Sequence, residues 1–270
     1  MFEPEISRKE SGLPILSRKQ IDDIGTEIVK DFNADALVNP QAIDIDLLAQ
    51  DYLGVEQDFA YLSHCGIYLG MTVFNDTDKI PVYNPQTNQA EYISAKANTI
   101  IIDNSLLASN QEHRYRFTMG HEVGHQFLHK EYFSYMLYQE DICNVIESES
   151  YPVIQCRVDT KKFEQNRDKV WTDTDWMEWQ ANSLASSILM PEPAVNLVAE
   201  YFTSIIGNRI LLKHILIYKI ANIFNVSTEA AMIRLKKLGY IQTNDNINKE
   251  FIDKLARFQS HRGEFGFMTV

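Results

Sequence analysis

Two histidines lie four residues apart, with a glutamate directly after the first, in the segment RFTMGHEVGHQFLHKE (116–131). Because a helix turns about 100° per residue, positions i and i+4 lie on one face, so His121 and His125 can bind one metal ion. Glu122 would project beside that ion, where its carboxylate can take a proton from a bound water. The alternative is a pair of core histidines beside a solvated glutamate. The spacing favours a zinc site on a helix.

The start of this helix is predicted from the four residues SNQE (109–112), which resemble a capping box. In that interpretation Ser109 accepts a hydrogen bond from an orphan amide and Glu112 folds back onto the backbone of Ser109. Apolar residues then follow at helical spacing and supply buried surface: Phe117, Met119, Val123, Phe127 and Leu128.

The composition is typical of a globular protein, with 270 residues of which 45% are hydrophobic. No stretch reaches about 18 uncharged apolar residues, and the first residues lack the apolar core of a signal peptide. The three cysteines leave one thiol over under any pairing, which suits a reducing compartment. We therefore expect a cytoplasmic protein with no membrane segment.

The pattern upstream and downstream of the motif predicts an α+β fold with a small mixed or antiparallel sheet. Two helices are predicted over 16–32 and 40–54, and four short strands over 66–74, 79–83, 90–94 and 98–103. A second key helix follows within TDTDWMEWQANSLASSILMPEP and ends before Pro191. Residues 132–170 have poor periodicity and form an insertion of undetermined shape.

A catalytic zinc usually has three protein ligands, so a third ligand is needed. His129 lies eight residues after His121, about 12 Å along the helix axis, which is too far for the same ion. Glu178 is the strongest candidate, and Asn182, one turn later, could accept the other N–H of a zinc-bound imidazole. The alternative is a solvent-facing glutamate on an amphipathic helix.

The pair RFTMGHEVGHQFLH and EWQANSLASSILMP resembles the ImmA/IrrE family of metallo-endopeptidases, whose patterns are RFTxAHExGH and ExxANxFAxxLLMP. The resemblance implies a zincin-like catalytic domain that cleaves helix-turn-helix repressors in a limited way. It also implies zinc bound by His121, His125 and Glu178, with Glu122 as catalytic base. Gly120, Leu184 and the 132–170 insertion depart from the family pattern, and the insertion leaves substrate preference open.

The C-terminal part of the chain differs from the rest in charge. Residues 1–206 carry 15 Lys and Arg against 32 Asp and Glu, whereas residues 207–262 carry 10 against 4. We therefore predict a peptidase domain over 1–206 and a helical, helix-turn-helix-like subdomain over 207–270. The acidic body suits a basic protein substrate and repels nucleic acid.

Within the C-terminal part, residues 217–241 predict helix, turn and helix, with Ser227 as the cap of the second helix and Gly239 after its end. That helix carries Arg234, Lys236 and Lys237, but its first residues, TEAAMI, offer little to read base edges. A structural or protein-binding use is favoured over DNA binding. The alternative function is a DNA-binding or repressor-binding regulator that holds zinc without proteolysis.

Two further hypotheses concern the reaction. Tyr201, His214 and Tyr218 are polar residues downstream that could stabilise an oxyanion, although each is more typical of a core or rim position. The strand NTIIID (98–103) could pair with an extended substrate along its edge.

Overall fold

The structure is a computed structural model that describes residues 1–143, 153–157 and 170–260. It has the expected α+β class, with helices on a small mixed sheet and a separate hairpin. Of the predicted insertion, the structure describes the end of a long helix, one strand and Val170. The remainder of 132–170 lies outside the described residues.

The N-terminal part contains three α-helices: α1 (Arg18–Asn33), α2 (Asp35–Val38) and α3 (Ile45–Leu47). Ser17 caps α1 in a capping box with Gln20, so the first predicted helix is confirmed. The second predicted helix is shorter than expected, because α3 continues only as a π-helical turn over Leu48–Tyr52. Before α1, residues 8–14 form a tight loop that is closed by a bridge between Arg8 and Pro14.

The described residues contain six strands, in chain order: β1 (Glu56–Ala60), β2 (Tyr68–Val73), β3 (Thr77–Asn84), β4 (Gln89–Ala95), β5 (Thr99–Asp103) and β6 (Val153–Arg157). One sheet has the order β1-β5-β2-β6, in which β1 pairs with β5 in parallel and β2 runs antiparallel to both its neighbours. Strands β3 and β4 form an antiparallel hairpin. Neither β1 nor β6 was predicted.

The position of β5 corrects one expectation. This strand, which contains the predicted segment NTIIID, lies between β1 and β2 and pairs with both. Both of its edges are therefore used by the protein, and all five of its residues are buried. The prediction that a substrate could pair along this strand is therefore wrong, because neither backbone edge of the strand is free.

Six further α-helices lie in the described part of the chain: α4 (Glu112–Cys143), α5 (Asp173–Leu189), α6 (Glu192–Ile205), α7 (Arg209–Ile223), α8 (Thr228–Lys237) and α9 (Lys249–Ser260). The predicted cap of α4 is wrong. Glu112 is the first helical residue and cannot be the third residue after a cap at Ser109. The first hydrogen bond of the helical pattern runs from the amide of Tyr115 to the carbonyl of Gln111, the residue directly before α4.

Helices α4 and α5 pack closely against each other, and one hydrophobic core joins them to α1, the four-stranded sheet and the C-terminal helices. Arg116, near the start of α4, fastens that end by donating to the carbonyls of Asn225 and Ile43 at 3.0 and 2.8 Å. Residues on either side of position 206 thus share one core. The domain boundary at that position stays a prediction.

Among the described residues, no single helix is long and apolar enough to cross a membrane. Helices α7 and α8 reach that threshold only when taken together, and they are bent by 116° at the turn between them.

Candidate metal centre

Three side chains with metal-binding atoms converge where α4 faces α5. His121 and His125 extend from one face of α4, one turn apart, and Glu178 extends from the first half of α5. Their ligand atoms all lie within 4.8 Å of one another. Both imidazoles are buried, whereas the Glu178 side chain is 14% exposed, so the group is reached from the glutamate side.

The distances match the geometry of a small tetrahedral ion. The two Nε2 atoms of His121 and His125 lie 2.9 Å apart. Glu178 Oε2 lies 3.5 Å from His121 Nε2, and Glu178 Oε1 lies 3.4 Å from His125 Nε2. Ligand atoms about 2.05 Å from a tetrahedral zinc are separated by about 3.3 Å. Two imidazoles and a carboxylate at this spacing would fit a zinc ion.

The protonation of the histidines favours the same interpretation. Burial, followed by the neighbouring His125, lowers the pKa of His121 to about 4. Burial lowers the pKa of His125 to about 3. Both imidazoles are therefore neutral near pH 7, and a neutral imidazole is the form that offers a nitrogen lone pair to a metal.

Glu122 is fully buried beside this group but is not one of its three members. The hydroxyl of Thr72, on β2, donates to Glu122 Oε2 at 2.6 Å, while Glu122 Oε1 is buried without a hydrogen-bond partner. Burial raises the pKa of the Glu122 carboxyl well above that of an exposed glutamate. One carboxylate oxygen is thus held in place and the other is left for a molecule from outside the chain.

Two glycines set how closely the surrounding elements approach the centre, and sequence reasoning assigned neither of them a role. A Cβ at Gly70 on β2 would lie 2.5 Å from Glu122 Oε1, so β2 can lie against the glutamate only without a side chain there. A Cβ at Gly124 on α4 would lie 2.9 Å from the backbone of Ala181 on α5. A glycine inside the HExGH segment was the available signal for this close helix contact.

Asn182 and His129 contact the outer nitrogens of the two imidazoles. His121 Nδ1 lies 3.1 Å from Asn182 Oδ1, which is the contact that the sequence predicts for Asn182. His129 does not join the three ligand atoms, as expected from its spacing. It lies instead against His125, with the two Nδ1 atoms 2.9 Å apart, an interaction that the sequence analysis missed.

The downstream residues considered for the reaction have other surroundings. His214 contacts the carbonyl of Ile210 at 2.7 Å through Nδ1 and accepts from the amide of Asn248 at 2.9 Å through Nε2. Tyr218 is buried in the main core, and Tyr201 is 44% exposed on α6. The oxyanion partner therefore stays unassigned.

Two histidines and a glutamate from a second helix that could hold a metal ion, beside a buried carboxylate oxygen without a hydrogen-bond partner, are typical of a metallopeptidase site. Residues 157–236 match the family model of the IrrE N-terminal-like domain, which is a peptidase family. The matched segment contains Glu178 and Asn182 and ends within α8, and the resemblance to the ImmA/IrrE family is confirmed over it. The comparison with curated proteins gives no match.

Proposed function

We propose that this protein is a zinc-dependent endopeptidase in which His121, His125 and Glu178 bind the metal and Glu122 is the catalytic base. The observation that carries the proposal is the convergence of three ligand atoms within 4.8 Å beside a buried carboxylate with a free oxygen. The family match over residues 157–236 supports a peptidase, and a peptidase acts on a protein substrate.

Each residue has a distinct part in the proposed reaction. A bound zinc supplies Lewis acidity, which brings the pKa of a coordinated water toward neutrality and polarises the carbonyl of the scissile bond. Glu122 takes the proton of the attacking water on Oε1 and passes it to the amine of the leaving peptide. Thr72 holds Oε2 by its 2.6 Å hydrogen bond, so the free oxygen keeps one direction throughout. Asn182 orients His121 through its 3.1 Å contact.

The proposed substrate is a helix-turn-helix repressor, cut at one or a few bonds. The resemblance to ImmA/IrrE peptidases supports this class, and so does the acidic body of the protein, which attracts basic DNA-binding proteins. A surface cleft beside β1 and the β3–β4 hairpin has a mainly acidic charged lining, with the carboxylates of Glu56, Asp58, Asp76 and Asp78 and the amine of Lys96. We expect the cut to fall in a linker or a frayed terminus, where the substrate can become extended.

The second candidate is a regulator that binds DNA or a repressor without cutting it. The basic α8 is the feature in its favour, but Arg234 is only 1% exposed and donates to Asp22 and to the carbonyl of Met190. This arginine is occupied inside the protein, which favours a structural use of α8 over contact with DNA.

Metal analysis tests the ligand assignment. Protein purified without added metal should contain about one zinc per chain, as expected for a three-ligand catalytic site. His121→Ala, His125→Ala and Glu178→Ala should each lose most of it, whereas Glu122→Gln should keep it. Glu200→Ala, which removes an exposed carboxylate on α6, is the control. Full zinc in Glu178→Ala would remove Glu178 from the site.

Chelator competition tests Asn182 separately. Asn182→Ala should weaken zinc binding by about 10–100-fold, the usual effect of losing a hydrogen bond to a metal ligand. An unchanged affinity would make Asn182 a packing residue.

Cleavage tests the function itself. Purified helix-turn-helix repressors, including any encoded beside the gene for this chain, are incubated with wild-type protein, with Glu122→Gln and with chelator-treated protein, and intact masses are measured. We expect one or a few cuts with the wild type alone. A repressor that binds and stays intact, together with salt-resistant operator binding by this protein, would favour the DNA-binding regulator.

A further inference from the structure

His129 is a buried polar side chain that the proposed reaction does not use. It is fully buried on α4, one turn after His125, and both of its ring nitrogens have close neighbours. Nδ1 lies 2.9 Å from His125 Nδ1, and Nε2 lies 2.9 Å from Gln180 Oε1 on α5. The direction of each hydrogen bond follows from the group at the other end of this series of contacts.

The far end is a backbone carbonyl in the N-terminal loop. Gln180 Nε2 lies 2.8 Å from the carbonyl oxygen of Pro14, which can only accept a hydrogen bond. The amide nitrogen of Gln180 therefore faces Pro14, and its oxygen faces His129. An amide oxygen also only accepts, so His129 carries a proton on Nε2 and donates to Gln180.

The proton position on His129 in turn determines the proton position on His125. The ring of His129 is fully buried, and none of the described carboxylates is hydrogen-bonded to it, so its surroundings suit a neutral ring with a lone pair on Nδ1. His125 Nδ1 must then carry the proton and donate to His129 across the 2.9 Å contact. A neutral imidazole has one N–H, so His125 Nε2 is left with its lone pair directed at Glu178 and His121.

The second ligand is fixed in a parallel way by a shorter chain. Asn182 Nδ2 donates to the carbonyl oxygen of Glu178 at 2.9 Å, which turns Asn182 Oδ1 toward His121 Nδ1. His121 therefore carries its proton on Nδ1 and has a lone pair on Nε2. Two lone pairs face each other 2.9 Å apart, an arrangement that a cation between them relieves.

We propose that His129 and Gln180 are positioning residues that hold His125 in the Nδ1–H tautomer. The carbonyl of Pro14, which can only accept, sets the direction of the hydrogen bonds from His125 through His129 to Gln180. The inference rests on the proposed function, because it assigns these residues a task only at a metal-binding His125. Without an acceptor at position 129, the proton of His125 can move to Nε2. That N–H would donate to His121 Nε2, and both nitrogens would be lost to the metal.

The first experiment reads the tautomers directly in metal-free wild-type protein. Long-range ¹H–¹⁵N correlation spectra of histidine side chains distinguish Nδ1–H from Nε2–H rings. We expect His121 and His125 as Nδ1–H tautomers and His129 as the Nε2–H tautomer. An Nε2–H tautomer for His125 would overturn the proposal, and this measurement needs no variant to fold.

The second experiment measures zinc affinity by chelator competition in matched variants. His129→Phe replaces the imidazole with an aromatic ring that has no hydrogen-bond acceptor, and it should weaken zinc binding by about 10–100-fold. His214→Phe is the control, because it removes an equally hydrogen-bonded buried histidine between α7 and α9. It should bind zinc like the wild type. His129→Gln, whose amide oxygen can accept from His125, should recover much of the affinity.

The outcomes separate this inference from the proposed function. A wild-type chain that binds no zinc would overturn the proposed function and the inference with it. A wild type that binds zinc, with equal affinities in His129→Phe and His214→Phe, would overturn the inference alone. Weaker binding in His129→Phe, recovery in His129→Gln and the expected tautomers together would support it.

Discussion

The candidate metal centre between α4 and α5 and the C-terminal helix pair α7 and α8 both carry polar residues for which the sequence suggests a function, but these residues have different hydrogen-bond partners in the structure. At this centre, Asn182 and His129 contact the outer nitrogens of the two imidazoles, the two inner nitrogens face each other at 2.9 Å, and one oxygen of Glu122 is buried without a hydrogen-bond partner. In α8, the guanidinium of Arg234 is bonded to Asp22 on α1 and to Met190. A buried polar atom that the fold holds in place without a hydrogen-bond partner, such as Glu122 Oε1, indicates a binding site.

The largest effect should come from Glu122, the proposed catalytic base. Glu122→Gln keeps the hydrogen-bond partner of Thr72 but cannot take a proton, so repressor cleavage should fall by about 10²–10⁴-fold. Zinc content, measured in the same preparation, should stay unchanged. Glu200→Gln on the exposed face of α6 is the matched control and should cleave like the wild type. Equal rates in the two variants would remove the base from this centre.

The next largest effect should come from Arg234 on α8, in the C-terminal helix pair. Arg234→Met leaves Asp22 without its buried partner and should lower the free energy of unfolding by about 3–5 kcal/mol in denaturant titrations. Lys236→Met, two residues later and half-buried, should change it by less than about 1 kcal/mol. A stable Arg234→Met variant with altered DNA binding would show that α8 carries a second function.

A matched pair of glycines on α4 tests how tightly the two helices must approach. Gly124→Ala places a methyl group 2.9 Å from the backbone of Ala181 and should push Glu178 away from the histidines. We expect a loss of about 1–3 kcal/mol in stability and a clear drop in zinc affinity. Gly120→Ala meets only ordinary contacts, the nearest at 3.4 Å. It should bind zinc normally, so equal affinities would contradict the spacing argument.

The smallest effect should come from the residue that holds the base. Thr72→Val removes the hydroxyl that donates to Glu122 Oε2, and the rate of cleavage should fall by about tenfold, as for a hydrogen bond of about 1.5 kcal/mol. Thr72→Ser keeps the hydroxyl and should cleave nearly as fast as the wild type. Zinc content should be equal in both variants, because Thr72 does not contact a metal ligand directly.

The local parts of the centre could be predicted from the sequence, because the spacing of His121 and His125 fixes their shared face on any helix. Contacts between distant segments could not. Strand β1 has the sequence EQDFA, which is polar and partly exposed and shows no buried alternation. The contact of Gly70 with Glu122 depends on how β2 lies across α4, which no local pattern encodes. The spacing excludes His129 as a ligand of the same ion, but its contact with His125 depends on side-chain directions that spacing alone does not give.

The N-terminal loop over residues 8–14 links the surroundings of the candidate metal centre to a part of the chain that is distant in sequence. Arg8 donates to the carbonyl of Leu128 and pairs with Glu131, which holds the loop against α4. Pro14 then accepts from Gln180, a residue 166 positions later. During synthesis the first residues of the chain must therefore wait for α5 before this contact can close. Loop closure over such separations is slow, so the ability to bind metal would be among the last properties that the folding chain acquires.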